Sequence, residues 1–184
     1  MKLDLRWLQS VMLALCLGCC VMSQAQSIPS GYQQIAKSYQ VPVKVYYAML
    51  TQESGLMTQQ GFKPWPWTLN IAGKSKRYKT RQAAYQALKQ AIASGIKLVD
   101  IGPGQVNWHW HKNKLGSLWQ SLEPYHNLKV SAWILRQEYE RSGQKNWWIA
   151  VGRYHSPGQT PQQLARAKDY ERRVKRRYRQ INKV

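Results

Sequence analysis

The chain predicts an α+β domain, mostly helical with a small β-hairpin excursion. Apolar residues recur at helical spacing over most of the chain between residues 30 and 180. One stretch, residues 58–79, lacks that period and holds Pro64, Pro66 and Gly73. No internal repeat or low-complexity tract marks a second domain.

Residues 1–25 read as a signal peptide and stand apart from the fold. Lys2 and Arg6 precede an apolar run from Leu8 to Met22, and Ser23-Gln24-Ala25 offers the small residues of a cleavage site. The run is shorter than the about 20 residues of a membrane span. Leu17-Gly18-Cys19-Cys20 loosely resembles a lipobox, so a lipoprotein is the alternative to a free periplasmic form. Cys16, Cys19 and Cys20 are the chain's three cysteines, and all lie in this leader. Disulfides, Cys nucleophiles and Cys–zinc sites are thereby excluded from residues 26–184.

Ser30 opens a helix over 30–40, and Pro42 separates it from the next. There Val43, Tyr46, Tyr47 and Leu50 form an i, i+3, i+4, i+7 stripe, and Gly55 marks the helix end. Glu53 lies seven residues past Tyr46 and three past Leu50, at the edge of a core-facing stripe. Trp67–Ile71 and Ser75–Tyr78 can pair as a hairpin around Ala72-Gly73-Lys74. Thr80 then caps a helix carrying Ala84, Ala87, Leu88, Ala91 and Ile92, stopped by Gly95. Ile96–Asn107 is extended, with a turn at Gly102-Pro103-Gly104. Further helices are expected over 114–122, 127–142 and 145–155. Pro157 and Pro161 precede a basic helix or tail at 161–184, so the domain proper is set at 26–160.

The chain carries a net charge of +20. Removing Lys2, Arg6 and Asp4 with the leader leaves 26 basic and 7 acidic residues, a net +19. Such a field favours a polyanionic partner: an acidic wall polymer, an anionic membrane surface, or nucleic acid. Export disfavours the last. Nine tryptophans and eleven tyrosines stand against one phenylalanine, an amphipathic aromatic set suited to sugar rings. Trp65, Trp67, Trp108 and Trp110 flank the motifs described next. Trp108-His109-Trp110-His111 places two histidines on one face of a strand, with neither cysteine nor paired carboxylate nearby, so no metal is expected.

Gln52-Glu53-Ser54-Gly55 resembles the catalytic signature of the soluble lytic transglycosylases. Three ordered matches follow. Gly102-Pro103-Gly104-Gln105-Val106-Asn107 resembles the family's glycine-to-asparagine motif, Asn127-Leu128 its Asn-Ile pair, and Ala150-Val-Gly-Arg-Tyr154-His155 its A-x-x-x-Y-N motif. Pro103 and His155 depart from the pattern, which has an apolar residue and Asn there. The segment Lys63–Asn70 is most similar to that of transglycosylases from conjugative elements and type IV secretion systems.

The resemblance implies a lysozyme-like fold and a peptidoglycan lytic transglycosylase, a lyase needing no cofactor. Glu53 would be its catalytic acid and base, with Ser54, Gln105, Asn107, Asn127, Tyr154, His155 and Trp108 contacting substrate. It also implies 1,6-anhydromuramic products, formed without a second carboxylate, and hence little need for Asp100. Chemistry supports the role of Glu53 separately: apolar neighbours disfavour an ionised carboxyl, and glycosidic cleavage needs an acid still protonated near neutrality. The alternatives are a hydrolytic lysozyme and a non-catalytic wall-binding or secretion-assembly protein.

Overall fold

The computed structural model describes residues 27–143 and 146–181. The leader, with its cleavage and lipidation motifs, lies outside the described residues. Among the described residues, eight helices and two small antiparallel sheets make an α+β fold. No helix among the described residues is long and apolar enough to cross a membrane.

Helix α1 (Ser30–Ser38) leads through Pro42 into α2 (Val43–Ser54). Residues 45–51 of α2 are all buried, so this is a helix enclosed on every side rather than one with a single apolar stripe. A hairpin that periodicity did not announce follows: β1 (Gly55–Thr58) pairs with β2 (Gly61–Pro64). The expected second hairpin forms from β3 (Thr68–Ile71) and β4 (Lys74–Arg77), and Ala72 and Gly73 turn it with positive φ. Thr80 caps α3 (Arg81–Ala93) by accepting from Ala83 N.

Strands β5 (Val99–Ile101) and β6 (Val106–Asn107) complete a sheet of order β4-β3-β5-β6. Its register decides which residues meet. Leu69, Ile101 and Val106 align across three strands, and all three are buried. Asn70, Asp100 and Asn107 form the adjacent row, so the pleat turns them to the opposite face.

The remainder is helical: α4 (Trp108–Leu115), α5 (Leu118–Ser121), α6 (Pro124–Arg141), α7 (Trp147–His155) and α8 (Pro161–Gln180). Trp108–His111, expected as strand, opens α4 instead, because Asn107 Oδ1 accepts from Trp110 N and caps a helix there. The helix anticipated over 114–122 is broken by Gly116, at φ 73°, into the end of α4 and the single turn of α5.

Two hydrophobic clusters share α6. Leu128, Ala132 and Leu135 face a helical cluster with α1, α2, α7 and α8, while Val130 and Ile134 face the sheet, α3 and α4. Helix α8 belongs to the first. Tyr170 and Val174 are buried in it, and a capping box at Thr160–Gln163 fixes its start. Of the basic segment set apart at 161–184, the described residues 161–181 thus carry a core-facing side at Tyr170 and Val174 besides their charged face.

Candidate functional site

A cleft of about 740 Å³ opens between the helical cluster and the sheet. Glu53 comes to it from the last turn of α2; Asn70, Asp100, Gln105 and Asn107 come from the sheet and its turn. Trp110 of α4 and the C-terminal halves of α6 and α7 complete the lining.

Burial pushes the Glu53 carboxyl up to about 7. A hydrogen bond from the Tyr170 hydroxyl to Glu53 Oε1 acts in the opposite sense, because it favours the ionised form. The nearby charge of Asp100 raises the value again, and Arg173 lowers it slightly. The outcome is an acid that holds its proton into the neutral range. Tyr170 lies 117 residues from Glu53 in sequence, on the helix opposite α2. The His155 ring stacks on Tyr170 at 4.5 Å with 6° between the planes, which fixes the phenol laterally. Burial also lowers the pKa of His155, keeping the ring neutral.

Asp100 faces the same cleft. Asn107 Nδ2 donates to its Oδ1 at 2.7 Å and Asn70 Nδ2 to its Oδ2 at 3.0 Å, as the strand register requires. Burial raises its pKa, and these two hydrogen bonds oppose the rise.

The turn between β5 and β6 rests on α6 through residues expected to contact substrate. Asn127 is fully buried: Oδ1 accepts from Gly104 N at 3.0 Å and Nδ2 donates to Ile101 O at 2.9 Å. Ser54 is fully buried too, and its Oγ donates to Pro103 O at 2.9 Å, tying the end of α2 to the turn. Neither residue lines the cleft; both position it. The turn glycines serve the same packing. A Cβ on Gly102, at φ +76°, would lie 2.6 Å from Asn127 Cγ, and one on Gly104 would lie 2.4 Å from Ser131 Cβ. They admit α6 rather than a sugar.

Gln105 lines the cleft at φ 46°, held by Nε2 bonds to Gly102 O at 2.9 Å and Thr68 O at 3.2 Å. Tyr154 lines it as well, but its hydroxyl donates to Gly104 O at 2.6 Å; the bond to Glu53 belongs to Tyr170. Asn107 and His155 reach the cleft as expected. Trp108 packs instead against the sheet cluster. Trp110, two residues further on, is 75% exposed and lines the cleft, with the His109 ring edge-on to it at 4.7 Å.

Sequence reasoning thus brought together Glu53, Gln105, Asn107, Tyr154 and His155, which share one cleft, and missed Tyr170 and Asn70; of the tryptophans it set beside the motifs, Trp110 lines the cleft. The i, i+4 spacing of Tyr170 and Val174 within the basic run was the available signal for an inward face on α8. Comparison with family models, with curated proteins and with solved structures finds no match to this chain.

Proposed function

We propose that this protein is a muralytic enzyme, a lytic transglycosylase that cleaves the β-1,4 bond between N-acetylmuramic acid and N-acetylglucosamine in the cell wall. The observation that carries the reading is Glu53: a carboxyl with its pKa pushed up to about 7, at the end of a buried helix and open to a cleft of about 740 Å³. Near neutral pH it can give its proton to the glycosidic oxygen, and the leaving sugar departs with that proton on its 4-hydroxyl. The carboxylate left behind then takes the proton of the muramoyl 6-hydroxyl as that oxygen attacks the anomeric carbon. Glu53 is regenerated, and the product carries a 1,6-anhydro ring.

Tyr170 occupies Oε1 throughout, which leaves Oε2 to exchange the proton with substrate. Trp110 offers a sugar-stacking face, Gln105 its amide oxygen, and Asn107 the amide hydrogen not given to Asp100. The +19 surface suits a wall that carries acidic groups. By resemblance, the enzyme would act in the periplasm, opening the wall for a conjugation or secretion apparatus.

One observation favours a second reading, a hydrolytic lysozyme. Asp100 shares the cleft with Glu53 and is held by two asparagine amides, as a carboxylate that stabilises positive charge at the anomeric carbon or directs water would be. Mass spectrometry of products from purified peptidoglycan separates the two. The transglycosylase releases products ending in 1,6-anhydromuramic acid, each one water lighter than the reducing-end product of a hydrolase. Reducing ends would convert the assignment to a lysozyme, and no soluble product at all would remove the enzyme.

A further inference from the structure

Beyond Glu53 the cleft continues to a second group of charged side chains, where α6 meets α7. Glu138 is 4% exposed, and each of its oxygens is bound by a different arginine. Oε1 accepts from Arg141 at 2.6 Å, and Oε2 accepts from Arg153 Nε at 2.8 Å. All three residues line the cleft, with Trp133 and Gln137 beside them.

One guanidinium is enough to neutralise a buried carboxylate. Two are present, so the cluster carries an excess positive charge. Each arginine also spends only one nitrogen on Glu138, through NH1 of Arg141 and Nε of Arg153. The rest of each planar fork is left for another acceptor, and such a fork matches a carboxylate bidentately. Arg153 is held between α6 and α7 with its side chain 20% exposed, which keeps it fixed and partly desolvated. One cleft therefore holds the carboxyls of Glu53 and Asp100 together with an unsaturated arginine pair.

We infer that Arg153 and Arg141, positioned by Glu138, form a subsite for a carboxylate substituent of the bound glycan, the lactyl or peptide-stem acid of a muramoyl residue. The inference rests on the glycan reading of the cleft and extends it. An unsubstituted amino sugar offers these arginines only neutral acceptors, whereas a muramoyl residue brings a carboxylate that can pair with a fork bidentately. Their occupation sets the register of the strand, and with it which linkage reaches Glu53.

Affinity for three short soluble glycans tests this, with the full chain carrying Glu53→Gln so that ligand is not consumed. One is a neutral chitin oligosaccharide, one a peptide-stripped glycan with free lactyl carboxylates, and one a glycan with intact stems. The carboxylated ligands are expected to bind about tenfold more tightly than the neutral one. Arg153→Gln, and separately Arg141→Gln, should erase that gap by weakening carboxylated ligands only; whichever falls further identifies the source of the carboxylate. Arg141 is 59% exposed, and its loss leaves the Glu138–Arg153 pair intact, so a folding defect in Arg153→Gln does not silence the test. Equal affinity of the parent for all three glycans, or equal weakening of all three in both variants, would overturn the subsite. Absence of turnover by the unsubstituted chain would sink the catalytic reading while leaving these binding ratios to decide the subsite.

Discussion

At Glu53 two effects of opposite sign meet. Desolvation moves its pKa up and the Tyr170 hydroxyl moves it down, and the balance falls at about 7 instead of the ordinary 4.5. Removing the hydroxyl removes only the lowering influence. Tyr170→Phe keeps the ring stacked on His155 and should raise the Glu53 pKa further, so the alkaline limb of the pH–rate profile moves to higher pH. Loss of a fixed carboxyl orientation should cut turnover about tenfold, equivalent to about 1.4 kcal/mol. A profile that drops uniformly without moving would show Tyr170 to be structural only.

Stability carries the same signature. The folded chain holds the Glu53 proton up to about 7 while the unfolded chain releases it near 4.5, so stability falls as pH rises through that window. The cost of ionising the buried group reaches up to about 3 kcal/mol above it. Glu53→Gln removes the cost and should melt higher than the parent at pH 8 and level with it at pH 4, as thermal unfolding at the two pH values would show.

Among the elements, α8 and the sheet decide most. Periodicity in residues 161–180 made α8 legible as a helix, but its charge drew attention to the wrong face. Tyr170 and Val174 close the helical cluster, and Tyr170 reaches the Glu53 carboxyl. Truncation after Thr160 should therefore abolish cleavage of short soluble glycans and lower the melting temperature. Replacing Arg172, Arg176 and Arg179 on the exposed face by Gln should spare that cleavage while weakening salt-sensitive attachment to intact walls. A truncated chain that still cleaves soluble glycans would contradict the packing described.

The sheet was partly legible. Turn residues gave the β3–β4 hairpin, but strand register is a tertiary property, and no local signal places Asn70 beside Asp100. The β1–β2 hairpin was hidden because its strands, as short as β3 and β4, are too brief to show alternation and its Gln59-Gln60 turn lacks a signal such as Ala72-Gly73. Asn127 and Ser54 were legible as special positions but misassigned, since a buried polar anchor and a substrate contact look alike in sequence. Gly104→Ala tests the anchor: its methyl would meet Ser131, displacing the turn and costing about 1–3 kcal/mol of stability.

Across the whole molecule, one helix, α6, joins two clusters and leaves a cleft between them, with Glu53 on the helical side and Asp100 on the sheet side. The motifs that carry the family resemblance converge on this cleft or on the turn beside it, although they are spread from residue 52 to residue 155. The overall charge says what the surface can approach, and the cleft says what it can do there. The most direct test of the central claim is kcat/KM on purified peptidoglycan for the parent, Glu53→Gln and Asp100→Asn, with binding measured in parallel. If Glu53 is the acid, Glu53→Gln folds, still binds glycan and loses turnover by a factor on the order of 10² or more, while a transglycosylase with a single essential carboxyl loses far less in Asp100→Asn. Full turnover in Glu53→Gln would contradict the account.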